Sequence, residues 1–95
     1  MSDDTFIYLI RPRVGFIDSM TAEEADTMDR HFAYLQALQA ENRLALAGPC
    51  LDGAFGVVIL RAQSDEDARD LMANDPAVRA GIMQADLHRF KISLS

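Results

Sequence analysis

The sequence predicts an α+β fold in which an antiparallel sheet of four strands carries two helices on one face. Three observations support this prediction. Two segments begin with helix-capping residues, two internal segments are strongly apolar, and proline or glycine separates the segments from one another. The chain has 95 residues, the size of one domain, so residues 1–95 are expected to form a single domain.

The first part of the chain predicts a strand, a loop and a long helix. Residues 5–11 (TFIYLIR) are rich in β-branched and aromatic residues, which favour a strand, and residues 12–20 follow as a loop. Thr21 and Glu24 match the capping-box pattern that starts a helix. No glycine or proline interrupts the sequence from there to Asn42. We therefore expect the helix to end near Asn42.

Two strands are predicted in the middle of the chain. Residues 44–47 (LALA) form a short strand that is ended by Gly48 and Pro49. After a turn-rich segment, residues 55–62 (FGVVILRA) give the clearest strand in the sequence, because apolar and β-branched residues dominate them.

The second helix is predicted to begin at Ser64, because Ser64 and Asp67 repeat the capping-box pattern. It is expected to run to about Asn74. Pro76 disfavours helical geometry at the residue before it, so the boundary falls at Asp75.

The last part of the chain predicts one more helical turn over residues 77–80 and, after Gly81, a long strand over residues 82–93. The order of elements is then β-α-β-β-α-β. This is the ferredoxin-like split βαβ arrangement, an antiparallel sheet with both helices on one face.

Two polar residues occupy inward positions of the predicted helices. The inward face of the first helix is an apolar stripe of Met28, Phe32, Leu35, Leu38 and Asn42. His31 lies about 40° from the centre of that stripe when each residue turns the helix by about 100°. The inward face of the second helix consists of Ala68, Leu71 and Met72. Asp75 continues this face at helical spacing.

The topology predicts that these two residues meet. Each helix returns antiparallel to the strand before it, so the two helices are antiparallel and the start of one lies beside the end of the other. The ends of the first two strands and the start of the last strand lie at the same edge. The residues expected to bind a substrate there are Arg11, Gly48, Pro49, Gly81 and Met83. We expect an apolar pocket with one imidazole and one carboxylate inside it.

An imidazole beside a carboxylate is suited to proton transfer. The carboxylate fixes the tautomer of His31 and raises its basicity, which leaves the second ring nitrogen free for general acid–base catalysis. Two structural alternatives remain open. His31 could be a hydrogen-bonded core residue, and Asp75 could be the N-cap of a turn that starts at Pro76.

Three further residues are candidates for a role at this edge or beyond it. Arg11 could hold an anionic or phenolic substrate, or could be an exposed charge at the end of a strand. Cys50 could be a thiol nucleophile assisted by His31, although nothing in the sequence specifies this. His88 is expected on the sheet surface or at a dimer interface, since two separated histidines give no metal-ligand spacing.

Composition excludes several functions. The formal net charge is −6 and the only lysine is Lys91, so neither nucleic acid nor an anionic membrane is an expected partner. A single cysteine excludes an internal disulfide and a cysteine-rich zinc site. Phosphate-binding glycine motifs are absent, so no nucleotide cofactor is expected. The acidic start and the lack of a long apolar run make the cytoplasm the expected location. A thin core favours a homodimer.

The sequence resembles the YCII-related family, also called YciI-like proteins, over nearly its whole length. The resemblance is carried by residues 31–49 (HFAYLQALQAENRLALAGP) and residues 74–81 (NDPAVRAG). The chain departs from the family pattern at Asn42 and Arg43, where a glycine is common, and the segment after Pro49 is short. The helix is then expected to end on Asn42 in place of glycine.

The resemblance implies a dimeric α+β barrel in which two sheets pack face to face. It also implies a His–Asp pair for acid–base catalysis, at His31 and Asp75. One branch of the family eliminates chloride from a chlorinated hydroxyquinol, and the fold is similar to that of muconolactone isomerases. We therefore expect an enzyme without metal or cofactor that acts on a small aromatic or lactone-like molecule by elimination or isomerisation. The alternative is a noncatalytic dimer that binds a small ligand or a protein, with the pair in a structural role.

Overall fold

The computed structural model of the protein describes residues 4–95. In chain order, the elements of this range are β1 (Asp4–Pro12), α1 (Ala22–Ala40), β2 (Leu44–Pro49), β3 (Gly56–Ala62), α2 (Asp65–Ala73), α3 (Pro76–Arg79) and β4 (Met83–Arg89). The predicted order of elements is confirmed, including the extra helical turn after Asp75. No helix within this range combines the length and the apolar character that crossing a membrane requires.

The sheet has the strand order β2-β3-β1-β4, and every neighbouring pair is antiparallel. Gly56 at the start of β3 lies opposite both Ile10 and Pro49, and Met83 at the start of β4 lies opposite Pro12. The ends of β1 and β2 and the starts of β3 and β4 therefore share one end of the sheet. This is the predicted ferredoxin-like arrangement.

The core lies between the helices and one face of the sheet. Along β1, the side chains of Phe6, Tyr8 and Ile10 are buried, whereas Ile7 and Leu9 between them are only half-buried. Because side chains alternate along a strand, the first set faces the helices and the second set lies on the opposite, uncovered face. We call the uncovered side the open face of the sheet.

The helix boundaries follow from local hydrogen bonds. Thr21 and Glu24 form the predicted capping box, with both reciprocal bonds present. Asn42 has a φ of 60°, so it adopts the left-handed conformation after α1 that glycine often supplies. At α2 only half of the predicted box forms. Ser64 accepts from the Asp67 amide, but the Asp67 carboxylate accepts from the Gln63 amide, one residue before the cap.

Two expectations about elements were wrong. The closing strand ends at Arg89, which is the last residue paired with β1, and Phe90 adds one further backbone bond to Thr5. In addition, β2 does not end after Ala47 as expected, because Gly48 and Pro49 belong to the strand.

The inward stripe of α1 also differs from the prediction. The buried residues of α1 are Thr27, His31, Leu35 and Leu38. Phe32 is 63% exposed, and Asn42 lies beyond the helix. His31 is therefore at the centre of the buried stripe, and Phe32 is at its edge, where the sheet no longer covers it.

Candidate functional site

His31 and Asp75 are in direct contact, as the topology predicts. The Nδ1 atom of His31 lies 2.7 Å from Oδ1 and 2.9 Å from Oδ2 of Asp75, although 44 positions separate the two residues. His31 is 8% exposed and Asp75 is fully buried. The pair joins the middle of α1 to the junction between α2 and α3.

Asp75 holds its position through local backbone geometry. It is the N-cap of α3, and its Oδ1 accepts a hydrogen bond of 2.9 Å from the Ala77 amide, while Pro76 occupies the first helical position. The capping alternative was therefore correct, and it coexists with the contact to His31. One side chain therefore starts α3 and fixes the imidazole.

Tyr8 is the third member of the cluster, and sequence reasoning missed it. Its hydroxyl donates to Oδ2 of Asp75 over 2.7 Å, and its side chain is fully buried in the middle of β1. Burial and the neighbouring carboxylate raise the pKa of Tyr8, so the phenol stays protonated as a donor. The alternation of β1 was the available signal, because it places Tyr8 on the inward face between Phe6 and Ile10.

The contacts of Asp75 define the tautomer of His31. The partners Ala77 and Tyr8 both donate to the carboxyl group, which is the environment of a carboxylate. Nδ1 of His31 must then carry the proton that is donated to Asp75, and Nε2 carries the lone pair of the neutral ring. Within the described range, every side-chain nitrogen or oxygen that is fully enclosed forms a hydrogen bond. Nε2 of His31 forms no hydrogen bond there. It is therefore not fully enclosed, and it is accessible.

His31 forms part of the wall of a cavity of about 750 Å³. The volume lies within the range of roughly 300–1,000 Å³ that is typical of small-molecule sites. The apolar residues of the wall include Phe16, Met20, Phe32, Leu46, Phe55 and Met83. The polar side chains that line it, within residues 4–95, are those of His31, Gln36, Gln39 and Cys50. The described wall contains no charged residue besides the imidazole, which is charged only when protonated.

The loop between β1 and α1 closes one side of this cavity and is held in place by Arg13. The Arg13 guanidinium donates to the Ser19 carbonyl at 2.8 Å and to Glu24 at 2.9 Å. The bond from Arg13, followed by the bond from the Thr21 amide, lowers the pKa of the Glu24 carboxyl to about 2. The loop contributes Phe16 and Met20 to the cavity wall, so Arg13 shapes the site without lining it.

Three of the five residues expected to bind a substrate line the cavity, namely Gly48, Pro49 and Met83. Gly81 does not. Its φ of 74° and the bond from its amide to the Val78 carbonyl show that it ends α3 in a left-handed turn. Its role is therefore in the backbone turn that leads into β4.

The expectation that Arg11 borders the pocket was wrong. Ile10 and Pro12 line the cavity, so the side chain between them points to the open face of the sheet. There Arg11 forms an ion pair with Asp86, and its guanidinium lies 5.8 Å from the centre of the Phe55 ring. It is an exposed charge near the end of a strand, which was the alternative interpretation.

Cys50 and His88 occupy different environments. Cys50 is half-buried in the cavity wall and is a free cysteine. His88 is exposed on the open face, where it pairs in register with Ile7. Within residues 4–95, no three histidine, cysteine or acidic side chains cluster closely enough to hold a metal ion.

Fold and site together define a class of protein: a ferredoxin-like α+β protein with a buried imidazole–carboxylate pair that opens into an apolar cavity. The family model described as the YCII-related domain matches residues 6–91. The chain therefore belongs to the YCII-related domain family.

Two relatives illustrate this membership. The chain is 34% identical over 62 residues to the uncharacterized protein YjpA of Bacillus subtilis (strain 168), a match that covers 65% of this chain and 73% of that protein. A similar solved structure is 5-chloro-2-hydroxyhydroquinone dehydrochlorinase (TftG) from Burkholderia phenoliruptrix AC1100, in complex with 2,5-dihydroxybenzoquinone. The TM-score is 0.72 at 25% identity, and the match covers 92% of this chain and 93% of that one.

Proposed function

We propose that the protein is an enzyme that uses the His31–Asp75 pair, without metal or organic cofactor, to move a proton on a small ring compound. The observation that carries this proposal is the orientation of the imidazole. Nδ1 is held by a fully buried carboxylate, and accessible Nε2 belongs to a side chain in the wall of the cavity. A purely structural histidine would not need an accessible second nitrogen.

The proposed reaction is an elimination or an isomerisation. Nε2 of neutral His31 takes a proton from a carbon or hydroxyl of the substrate, and Asp75 stabilises the imidazolium that forms. In an elimination, the electron pair of the broken bond forms a new double bond, and a leaving group such as chloride departs with its own bonding pair. In an isomerisation, the imidazolium returns the proton at another position of the same molecule.

The cavity favours a compact ring compound that carries no carboxylate or phosphate group. Its described wall is mostly apolar and offers no permanently cationic side chain to an anion, and the chain itself is acidic, with a formal charge of −6. Gln36 and Gln39 can donate and accept hydrogen bonds at ring oxygens. The dehydrochlorinase TftG acts on an oxygenated six-membered ring, which is consistent with this class.

A homodimer is part of the proposal. The open face of the sheet presents Ile7, Leu9 and Val57, which are only half-buried. Two such faces packed against each other would bury apolar area that the single chain leaves in water. Light scattering should give twice the mass of one chain. Leu9→Glu should give a monomer, because it places a charge in the centre of that face.

The second candidate function is a noncatalytic binding module. It is favoured by one observation: Asp75 also caps α3 and accepts from Tyr8, so the cluster has a structural role whatever else it does. In that case ligands would bind in the cavity without being changed.

A turnover assay separates the two functions. The protein is incubated with chlorinated and unchlorinated hydroxyhydroquinone, and both chloride release and uptake of deuterium from solvent are followed. We expect turnover that falls by a factor of about 10²–10⁴ in His31→Gln, the usual contribution of a general acid–base group. Leu51→Ala, at a 98% exposed position outside the cavity wall, serves as the control variant and should turn over as the wild type does. Binding without turnover would support the binding module. Equal and measurable rates in the wild type and His31→Gln would contradict the proposed role of His31.

A further inference from the structure

We propose that Tyr8 is a positioning residue that sets the proton affinity of His31 through their shared partner Asp75. The importance of this for catalysis rests on the proposed function, whereas the titration behaviour of His31 does not. Tyr8 is fully buried beneath the cavity and is not one of the residues that line it.

The geometry gives Asp75 three donors. The Tyr8 hydroxyl lies 2.7 Å from Oδ2, the Ala77 amide lies 2.9 Å from Oδ1, and His31 Nδ1 lies within 2.9 Å of both oxygens. The carboxylate is fully buried, so these donors replace the water that would otherwise solvate its charge. Each neutral donor therefore takes over part of the stabilisation that an imidazolium would provide.

The donors to Asp75 therefore affect how strongly His31 binds a proton. A buried carboxylate with His31 as its only partner would hold the ring in its protonated form, which cannot accept a proton from a substrate. The two neutral donors, the Tyr8 hydroxyl and the Ala77 amide, reduce the need for an imidazolium beside Asp75 without removing it. Tyr8 is the donor that can be changed, because the other one is the backbone of α3. Asp75 can then orient His31 while the neutral ring keeps the Nε2 lone pair that a base needs.

The other titratable groups near His31 do not replace this role. Tyr34, on α1, donates its hydroxyl to the Leu71 carbonyl over 2.7 Å, so it is not bonded to Asp75. Cys50 lies in the cavity wall, and the wall contributed by β2, β3, β4 and the loop after β1 carries no charged side chain in the described range. Within the described residues, Tyr8 is thus the titratable side chain other than His31 that donates a hydrogen bond to Asp75.

The test is a pH titration of both histidines by NMR in the full chain labelled with ¹⁵N-histidine. In Tyr8→Phe we expect the midpoint of His31 to move upward by about half a unit to one unit, because Asp75 loses one hydrogen bond to its charged form. His88, on the open face, is an internal control and should not move. Tyr34→Phe is the matched control, since it removes a tyrosine hydroxyl bond that does not reach Asp75. An unchanged or lowered His31 midpoint in Tyr8→Phe would overturn the proposal.

A second variant keeps the test valid if Tyr8→Phe does not fold. The chain contains two tyrosines, so in the Tyr34→Phe background Tyr8 is the only one left. Growth on 3,5-difluorotyrosine then converts Tyr8 alone into a stronger hydrogen-bond donor that keeps its hydroxyl. We expect the His31 midpoint to fall below that of the unlabelled Tyr34→Phe protein. No change, or a rise, would contradict the inferred role.

The NMR titration tests the role of Tyr8 whether or not the protein proves to be an enzyme. If the protein has no turnover but the His31 midpoint shifts as described, the proposal for Tyr8 stands and the enzymatic proposal fails. If turnover exists, the acidic limb of its pH profile should follow the NMR midpoint in each variant. A profile that stays fixed while the midpoint moves would leave Tyr8 without a catalytic role and overturn that part of the proposal.

Discussion

His31 donates to the same Asp75 carboxylate that caps helix α3, so the imidazole on one helix is locked to the start of another. The site and the fold therefore share one side chain. This relationship explains why a buried carboxylate is present in such a small core, and it determines how substitutions at the site should behave.

Asp75 substitutions should affect stability and activity together. Asp75→Asn keeps the shape but removes the charge, and Asp75→Ala also removes the cap. We expect a loss of about 1–3 kcal/mol for Asp75→Asn, as is usual when buried hydrogen bonds to a charged group are left mismatched. Urea denaturation provides the measurement. Asp70→Asn, on the exposed side of α2, is the matched control. Equal stability of Asp75→Asn and wild type would contradict the structural role of the carboxylate.

The alkaline limit of stability should depend on tyrosine. Burial, then the charge of Asp75, raise the pKa of Tyr34 from 10.0 to about 12. A raised pKa means that the folded state holds the proton more tightly. The resulting stabilisation is complete below pH 10 and is lost as the pH rises toward about 12. Tyr8 acts in the same direction.

Tyr34→Phe should therefore be less stable than wild type at neutral pH but should lose less stability between pH 10 and 12. Urea midpoints measured across this range, with Tyr8 present in both proteins, isolate the contribution of Tyr34. Parallel curves for the two proteins would show that Tyr34 does not contribute to the alkaline loss.

Acid should loosen the link between α2 and Arg43, the residue before β2. The Asp67 carboxylate accepts from the Gln63 amide and from Arg43, and these bonds lower its pKa. A lowered pKa gives stability that is present above the ordinary aspartate pKa and is lost as the pH falls through the folded-state value. Asp67→Asn should lower the urea midpoint at pH 7 and flatten its decline in acid. Asp65→Asn, whose ion pair with Arg89 is more exposed, should change both much less.

Phe32 should contribute to ligand binding more than to folding. Its side chain is 63% exposed and lines the cavity, so a bound ring that covers it removes apolar surface from water and gains binding free energy. We expect Phe32→Ala to weaken binding of 2,5-dihydroxybenzoquinone by a factor of roughly 5–10, the equivalent of about 1 kcal/mol. Calorimetry measures this directly. Leu51→Ala, at a 98% exposed position outside the cavity wall, is the control and should bind as wild type.

Much of this site could be predicted from the sequence because it depends on simple periodicities. The spacing of apolar residues placed His31 and Asp75 on inward faces, and the antiparallel helices brought them to one end. The position of Asp75 before Pro76 also predicted its capping bond. Each of these inferences uses local pattern and topology alone.

The remaining features depend on tertiary detail. Arg11 and Tyr8 lie on opposite faces of the same strand, and only the register of β1 with its neighbours assigns those faces securely. Phe32 has the composition of a core residue, but the sheet does not extend far enough to cover it. Gly81 lies near the site in sequence, yet its backbone turn takes it out of the cavity wall.

A crystal structure of the protein soaked with 2,5-dihydroxybenzoquinone tests the proposed acid–base role of His31 most directly. We expect a ring in the apolar cavity with one oxygen about 3 Å from Nε2 of His31, the distance of a hydrogen bond, while Nδ1 remains on Asp75. A ring bound elsewhere, or an imidazole whose Nε2 is enclosed by protein and faces no ligand, would contradict that role.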